Sequence, residues 1–207
     1  MSGPPGRRLS RDFYRRSVLE LAPDLLNKVL VGPDRRAGRI VEVEAYRGAD
    51  DPGSHAHRGQ TPRTEVMFGP PGHLYVYFAY GMHWCANIVG ERDGEPGAVL
   101  IRALTPLRGL EAMRYARPAA RRTRDLCSGP AKLTQALGID GSFDRADLVS
   151  GDQGVCLLDD GTVPPGAPGR DTRVGLSRGG DLRWRWFVEG ADDLSRRPRT
   201  GGSGSRG

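Results

Sequence analysis

Polar and apolar residues alternate most clearly over residues 38–46, which read Gly-Arg-Ile-Val-Glu-Val-Glu-Ala-Tyr. This alternation predicts a half-buried strand. The strand leads into residues 47–72, where glycines, prolines and polar residues predict a long loop that carries two histidines. A carboxylate at the end of a strand, followed by histidines on a loop, is typical of a functional site. The alternative is a surface strand whose glutamates, Glu42 and Glu44, are solvated.

The next strands form a predicted hairpin. Residues 73–80 are aromatic and β-branched, residues 84–89 have a similar character, and Gly81 turns the chain between them. Residues 98–104 are almost all apolar, which predicts a central strand of the sheet. Arg102 interrupts this strand and needs a partner if it is buried.

Helices and shorter strands complete the pattern. The spacing of apolar residues predicts helices over 19–30, 107–117 and 130–137 and later strands at 155–158, 172–176 and 184–188. Strands cluster and do not alternate strictly with helices, which favours an α+β fold, a single mixed domain around a curved, mainly antiparallel β-sheet with flanking helices. The predicted domain spans residues 10–192, between a disordered tail at 1–9 and a flexible tail at 193–207.

The charge balance favours a polyanionic partner. The chain of 207 residues carries a formal net charge of +6, and its only lysines are Lys28 and Lys132. The positive charge is therefore nearly all arginine, whose planar guanidinium suits phosphate oxygens. The densest basic run lies at residues 114–124, and the alternative for this run is a solvated, mobile loop.

The sequence lacks the signatures of several protein classes. Its three cysteines are scattered, without a CxxC pair or metal-ligand spacing, which favours a reduced, intracellular protein with no disulfide framework. No apolar run approaches the roughly 18 residues of a membrane span. The phosphate-binding G-x-x-x-x-G-K-[ST] loop, the zinc-binding H-E-x-x-H helix and the G-x-S-x-G nucleophile turn are also absent.

Tyrosines are concentrated on the predicted strands. Tyr46 ends the first strand, Tyr75 and Tyr77 share one face of the hairpin, and Tyr80 lies near the hairpin tip. Aromatic faces around a slot would stack a flat ligand, and they attract a cationic ring most strongly. The alternative is that these tyrosines only pack the sheet.

A set of short motifs occurs in one order along the chain. They are Gly-Arg-Ile-Val-Glu-Val-Glu-Ala-Tyr at 38–46, Ser-His at 54–55, Gln-Thr-Pro-Arg at 60–63, Met-Phe at 67–68, Pro-Gly-His-Leu-Tyr-Val-Tyr at 71–77, Tyr-Gly-Met at 80–82, Asn-Ile at 87–88, Val-Leu-Ile-Arg-Ala-Leu-Thr-Pro at 99–106, and Leu-Cys-Ser-Gly-Pro-Ala-Lys-Leu at 126–133. In this order and spacing the set closely resembles the alkyladenine (3-methyladenine) DNA glycosylase family of the mammalian type. The resemblance implies an enzyme that flips a damaged purine out of duplex DNA and hydrolyses its N-glycosidic bond.

The resemblance also implies a role for each matching residue. Glu44 matches the general base that activates the attacking water, and Arg102 matches the arginine that helps to hold that water and the nucleotide backbone. Tyr80 matches the tyrosine that wedges into the duplex where the base has left. The residues that match the pocket for the flipped base are Tyr46, His55, Tyr77 and Asn87. The last of these matches the asparagine that helps to exclude the exocyclic amine of guanine.

The same resemblance implies the partners of the protein. It implies double-stranded DNA with damaged purines as the substrate and no metal or organic cofactor. We also expect no membrane partner, a monomer, and a cytoplasmic location, associated with the nucleoid in a bacterium. The basic residues expected at the DNA backbone are Arg63, Arg114, Arg121, Arg122 and Lys132. We expect a monofunctional glycosylase for 3-methyladenine, with hypoxanthine and ethenoadenine as further candidate lesions. The alternative is a non-catalytic domain that binds duplex DNA on the same scaffold.

Overall fold

One antiparallel sheet organises the chain in the computed structural model, which describes residues 6–198. Its strands are β1 (Arg7–Arg8), β2 (Val29–Val31), β3 (Ala37–Arg47), β4 (Leu74–Ala79), β5 (His83–Val89), β6 (Gly97–Arg108), β7 (Cys156–Asp159), β8 (Gly169–Asp171) and β9 (Arg185–Phe187). The main path runs β1-β7-β2-β3-β6-β5-β4, and β9 pairs with both β3 and β8. These strand pairs are antiparallel. The predicted α+β class is therefore confirmed.

Four α-helices and four 3₁₀ turns accompany the sheet within the described range. The helices are α1 (Arg11–Tyr14), α2 (Val18–Leu25), α3 (Leu110–Ala116) and α4 (Pro130–Leu137), and the turns are His55–Arg58, Glu65–Phe68, Thr123–Asp125 and Gly141–Phe143. The helix predicted over 19–30 ends earlier, at Leu25. Asn27 takes the left-handed conformation with φ of 67°, and the β-branched residues that follow join the sheet as β2.

The central strands have two different faces, because successive side chains of a strand point to opposite sides. Val43, Val99 and Ile101 belong to the main apolar core, together with leucines of α2 and α4. Full burial of each such aliphatic side chain contributes about 1.5–3 kcal/mol. Their neighbours along the strands, which are Glu44, Ala98, Leu100 and Arg102, lie on the opposite face, which holds the candidate site.

The strand predicted at 172–176 is wrong. Strand β8 ends at Asp171, and the next residues leave the sheet. The Arg173 guanidinium binds Asp51, and the Val174 backbone N–H donates to Glu44 and not to a neighbouring strand. Buried carboxylates accept the hydrogen bonds of these donors, so this stretch does not need backbone hydrogen bonds to a neighbouring strand.

Ordered contacts extend beyond both predicted domain boundaries. Arg7 and Arg8, placed by the sequence in a disordered tail, pair with β7, because an open strand edge offers unpaired backbone groups. Ser195, placed in the flexible tail, donates its backbone N–H to Glu42 at 2.6 Å. A buried carboxylate needs such donors, and this need orders the chain at that point.

Candidate active site

A cavity of about 320 Å³ opens on the face of the sheet opposite the main core. Its size is at the lower end of the roughly 300–1,000 Å³ found for small-molecule sites. Alternate residues of β4, β5 and β6 form one part of its wall, and residues 174–176 close it. The sequence-predicted residues in the wall are Tyr46, His55, Tyr77, Tyr80, Asn87 and Arg102. The structure therefore brings together residues that the sequence spreads over nearly 60 positions.

Three aromatic side chains form one side of the cavity. The ring centroid of Tyr77 lies 4.6 Å from that of His55 and 5.2 Å from that of Tyr75. His55 Nδ1 lies 3.0 Å from the Tyr75 hydroxyl oxygen, within hydrogen-bonding distance. Burial, and then the nearby Arg63 guanidinium, lower the pKa of His55, so the imidazole is neutral near pH 7. This wall can therefore contact a flat ring without adding a positive charge at His55.

Glu44 lies directly behind the cavity wall and has no exposed surface. Its Oε1 accepts a hydrogen bond from the Val174 backbone N–H at 2.7 Å, and its Oε2 accepts one from the Tyr46 hydroxyl at 2.8 Å. Arg102 Nη1 lies 3.1 Å from the same Oε2. Burial raises the pKa of the Glu44 carboxyl, while the Arg102 guanidinium lowers it. The carboxylate is thus desolvated, oriented and beside three residues that line the cavity.

Glu44 belongs to a buried cluster of two carboxylates and two guanidiniums. Glu42 Oε1 accepts hydrogen bonds from Arg102 Nε at 2.9 Å and from Arg185 Nε at 2.7 Å. The four formal charges cancel, as they must in a region where an unpaired charge is very unfavourable. The prediction that a buried Arg102 needs a partner is confirmed.

Two β-bulges in the pairing of β3 with β6 affect the direction of the side chains in this cluster. Val41 is an extra residue on β3, and Arg102 is an extra residue on β6, because neither has a partner in the register. Such β-bulges bend a strand and re-aim a side chain, often next to an active site. The bulge on β6 turns Arg102 toward Glu42 and Glu44 on the neighbouring strand.

A second buried ion pair, Asp51–Arg173, packs against Tyr46. The Arg173 guanidinium donates to both oxygens of Asp51, at 2.6 and 2.7 Å, and both side chains are fully buried. The Arg173 guanidinium carbon lies 4.7 Å from the centre of the Tyr46 ring and 5.2 Å from that of Trp184. This cation–π stack fixes the plane of Tyr46, so the loop that carries Asp51 is coupled to the cavity wall.

Asn87 lies on β5 opposite Tyr75 in the sheet register. Its Nδ2 donates to the Tyr75 carbonyl oxygen at 3.0 Å, and only 4% of the residue is exposed. The strand pair therefore holds the amide of Asn87 in the cavity wall, where it can read a polar edge of a ligand.

Tyr80 stands at the tip of the β4–β5 hairpin and is 86% exposed. Tyr80 and Gly81 both have positive φ, 52° and 66°, which is the requirement of a tight hairpin turn. Met82 on the same turn is also well exposed. An apolar tip in solvent beside a cavity is typical of an interaction site.

The five basic residues predicted at the DNA backbone are all exposed: Arg63, Arg114, Arg121, Arg122 and Lys132. The Arg63 guanidinium carbon lies 5.0 Å from the centre of the Tyr77 ring, next to the cavity. Arg122 is already paired with Asp125 at 3.1 Å, so its charge is partly neutralised. Contact of these five residues with DNA stays a prediction.

Four polar side chains of the site were not predicted from the sequence: Asp51, Arg173, Arg185 and Ser195. Arg185 lies between Trp184 and Trp186 in a strand, so the reasoning applied to Arg102 would have required a partner for it as well. No local pattern in the sequence points to Ser195. It lies in a loop and contacts Glu42 only in the folded chain.

The structure gives three further facts about residues 6–198. In that range no helix is long and apolar enough to cross a membrane. No group of three histidine, cysteine, aspartate or glutamate side chains there is arranged to hold a metal ion. Cys85, Cys127 and Cys156 are free thiols.

Comparison with known proteins identifies the family. The model of the methylpurine-DNA glycosylase family matches residues 12–192. A protein of Burkholderia lata named "Putative 3-methyladenine DNA glycosylase" is 58% identical over 186 residues, 90% of each chain. A protein of the same name from Chlorobaculum tepidum is 46% identical over 195 residues, 92% of this chain and 91% of its own. The predicted resemblance is confirmed, and the chain belongs to the methylpurine-DNA glycosylase family.

Proposed function

We propose that this protein hydrolyses the N-glycosidic bond of alkylated purines, 3-methyladenine first among them, after the base has flipped out of duplex DNA into the cavity. The observation that carries the proposal is the position of Glu44, a buried carboxylate held by Arg102 and Tyr46 beside an aromatic cavity. Hypoxanthine and ethenoadenine are further candidate lesions, and we expect a monomer that acts inside the cell.

The aromatic wall suits the charge of an N-alkylated purine. Such a base is cationic, and the faces of Tyr46 and Tyr77 are sources of negative potential. Because the pKa of His55 is lowered, its imidazole adds no positive charge of its own to this wall. We propose that these residues hold the flipped base and that Asn87 rejects the exocyclic amine of guanine.

The chemical step needs one base and one water molecule. A cationic purine leaves as a neutral base when it takes the electron pair of the broken N-glycosidic bond. The water oxygen bonds to the sugar carbon, and its proton passes to Glu44. Because burial raises the pKa of Glu44, its carboxylate is a stronger base than an exposed glutamate. Its negative charge also stabilises an oxocarbenium-like sugar.

The two lysines support hydrolysis without a lyase step. A lyase step requires an amine that forms a Schiff base with the sugar. Lys28 pairs with Asp159 at 3.0 Å, and Lys132 donates to Ser128 at 3.3 Å. Neither lysine lines the cavity. We therefore propose a monofunctional enzyme that leaves an abasic site.

The direct test is base release from duplex DNA treated with dimethyl sulfate, hereafter methylated duplex. We expect liquid chromatography to detect free 3-methyladenine, and we expect strand breaks only after hot alkali cleaves the abasic sites. Untreated duplex is the control. Breaks without alkali would contradict the monofunctional assignment. Tight, salt-sensitive binding with no base release would instead favour a non-catalytic DNA-binding domain.

Tyr80→Ser is expected to weaken binding to lesion-containing duplex about tenfold or more and binding to undamaged duplex much less. Stacking of a base on an aromatic ring is worth about 1–3 kcal/mol, and the wedge offsets the cost of unstacking only when a base is flipped. Fluorescence anisotropy with both duplexes measures the two affinities. Tyr115→Ser is the matched control, because Tyr115 is a 90% exposed tyrosine on α3 that does not line the cavity. Equal losses on both duplexes would count against the wedge.

A further inference from the structure

Residues 193–196 are tied to three strands around the buried cluster. Asp193 Oδ2 accepts a hydrogen bond from Thr105 Oγ1 on β6 at 2.6 Å. The Ser195 backbone N–H donates to Glu42 Oε2 on β3 at 2.6 Å, and the Arg196 carbonyl oxygen accepts from Arg185 on β9. The segment is therefore fixed at each end and in the middle.

The Ser195 hydroxyl uses its whole hydrogen-bonding capacity inside this cluster. Its Oγ donates to Glu42 Oε1 at 2.8 Å and accepts from Arg102 Nη2 at 3.0 Å and from Arg102 Nε at 3.2 Å. A hydroxyl has one proton to donate and two lone pairs. Removing Oγ would therefore leave a buried guanidinium with fewer acceptors.

The three nitrogens of Arg102 are all engaged by these neighbours. Its Nε hydrogen is shared between Glu42 and Ser195, its Nη2 binds Ser195, and its Nη1 faces Glu44 at 3.1 Å. The guanidinium is planar and rigid, so holding Nε and Nη2 also sets the direction of Nη1. Ser195 does not line the cavity, whereas Arg102 does.

We infer that Ser195, carried by the segment 193–196, is a positioning residue that orients Arg102 toward Glu44. The inference rests on the proposed function of Arg102 and Glu44. The family match ends at residue 192, so the segment that completes the site lies just beyond the matched domain. Chemistry in the cavity then depends on a residue that lies outside the cavity wall.

The test compares Ser195→Ala and Ser195→Thr in the full chain under single-turnover conditions on methylated duplex. A displacement of about 1 Å can cost 10²-fold in rate, so we expect Ser195→Ala to lower the rate constant of base release about 10- to 100-fold. The Kd for the lesion duplex should change by less than about threefold, since the lost contact acts on the chemical step. Ser195→Thr keeps the hydroxyl and should recover most of the rate.

Ser142→Ala is the matched control. Ser142 Oγ also donates to a carboxylate, Asp140 Oδ1, at 2.6 Å, but this pair is exposed and does not line the cavity. We expect this variant to release base at the wild-type rate. A loss as large as that of Ser195→Ala would overturn the inference, because it would show that any lost serine–carboxylate bond has the same effect.

The pH dependence of the rate separates a positioning role from a general loosening of the fold. Glu44 is faced by Arg102 from β6, by Tyr46 and Glu42 from its own strand, and by the Val174 backbone N–H. A displaced Arg102 stabilises the Glu44 carboxylate less, so the pKa of Glu44 rises further. The base is then protonated up to a higher pH, and the acid limb of the rate profile of Ser195→Ala should shift to higher pH.

Three results would decide against this role. A wild-type rate with an unchanged acid limb in Ser195→Ala overturns it, and so does a Ser195→Thr variant as slow as Ser195→Ala. If circular dichroism shows that Ser195→Ala is unfolded, Thr105→Val decides, because it removes the Asp193 contact of the same segment and should slow release in the same way. Wild-type behaviour of Thr105→Val then overturns the inference. A wild-type protein that releases no base would refute the proposed function instead.

Discussion

Glu44→Gln is expected to lower the rate of base release from methylated duplex by about 10²- to 10⁴-fold, the usual contribution of a general base. The amide keeps the size of the side chain and can still accept from the Val174 backbone N–H, but it cannot take a proton from water. Affinity for the lesion duplex should stay within about threefold of the wild type, because the carboxylate lies behind the cavity wall. Single-turnover release and anisotropy binding measure the two quantities.

Glu111→Gln is the matched control for this variant. Glu111 lies exposed on α3 and undergoes the same chemical change, so its rate should equal that of the wild type. A Glu44→Gln protein that still releases base at a near-normal rate would show that another group activates the water.

Arg173→Met is expected to lower the free energy of unfolding by about 3–5 kcal/mol, the cost of leaving one charge of a buried ion pair without its partner. Asp51 and Arg173 are both fully buried and are joined by two hydrogen bonds. Methionine fills much of the space but offers Asp51 no donor. Urea unfolding with an unchanged m-value would report this loss as a lower midpoint.

Two variants show whether the unpaired charge is the cause. Arg15→Met removes the exposed Arg15–Asp12 pair and should change the unfolding free energy far less, because water screens such pairs. Adding Asp51→Asn to Arg173→Met removes the second charge and should restore part of the stability. A single variant as stable as the wild type would mean that water or another donor satisfies Asp51.

The alternation of residues predicted the strands of the site well because alternation has a direct physical cause. Glu44 and Tyr46 share one face of β3, and Tyr75 and Tyr77 share one face of β4, as period-two spacing requires. The same spacing could not show that Glu44 would be buried, since a solvated strand has the same pattern. Burial of Glu44 depends on Val174, which comes from a distant loop.

Other features of the site depend on contacts that no short stretch encodes. The bulge at Arg102 arises from the pairing of β6 with β3 and leaves no mark in the apolar sequence of β6. The segment after residue 192 is rich in polar residues and resembles a tail, yet Ser195 is ordered by a buried carboxylate more than 150 positions away. Long-range polar contacts of this kind escape sequence reasoning because they follow from the completed fold.

The neutral cluster around Glu42 has a consequence for how the protein can diverge. Dissolved ions screen interactions between exposed charges that lie more than a Debye length apart, about 8 Å at physiological ionic strength. They screen buried ion pairs far less. Salt would therefore act on the encounter with a phosphate backbone and leave bond cleavage almost unaffected. On the proposed function, mutations that exchange surface arginines would change the residence time on DNA and leave the hydrolytic step constant, so the two properties would evolve independently.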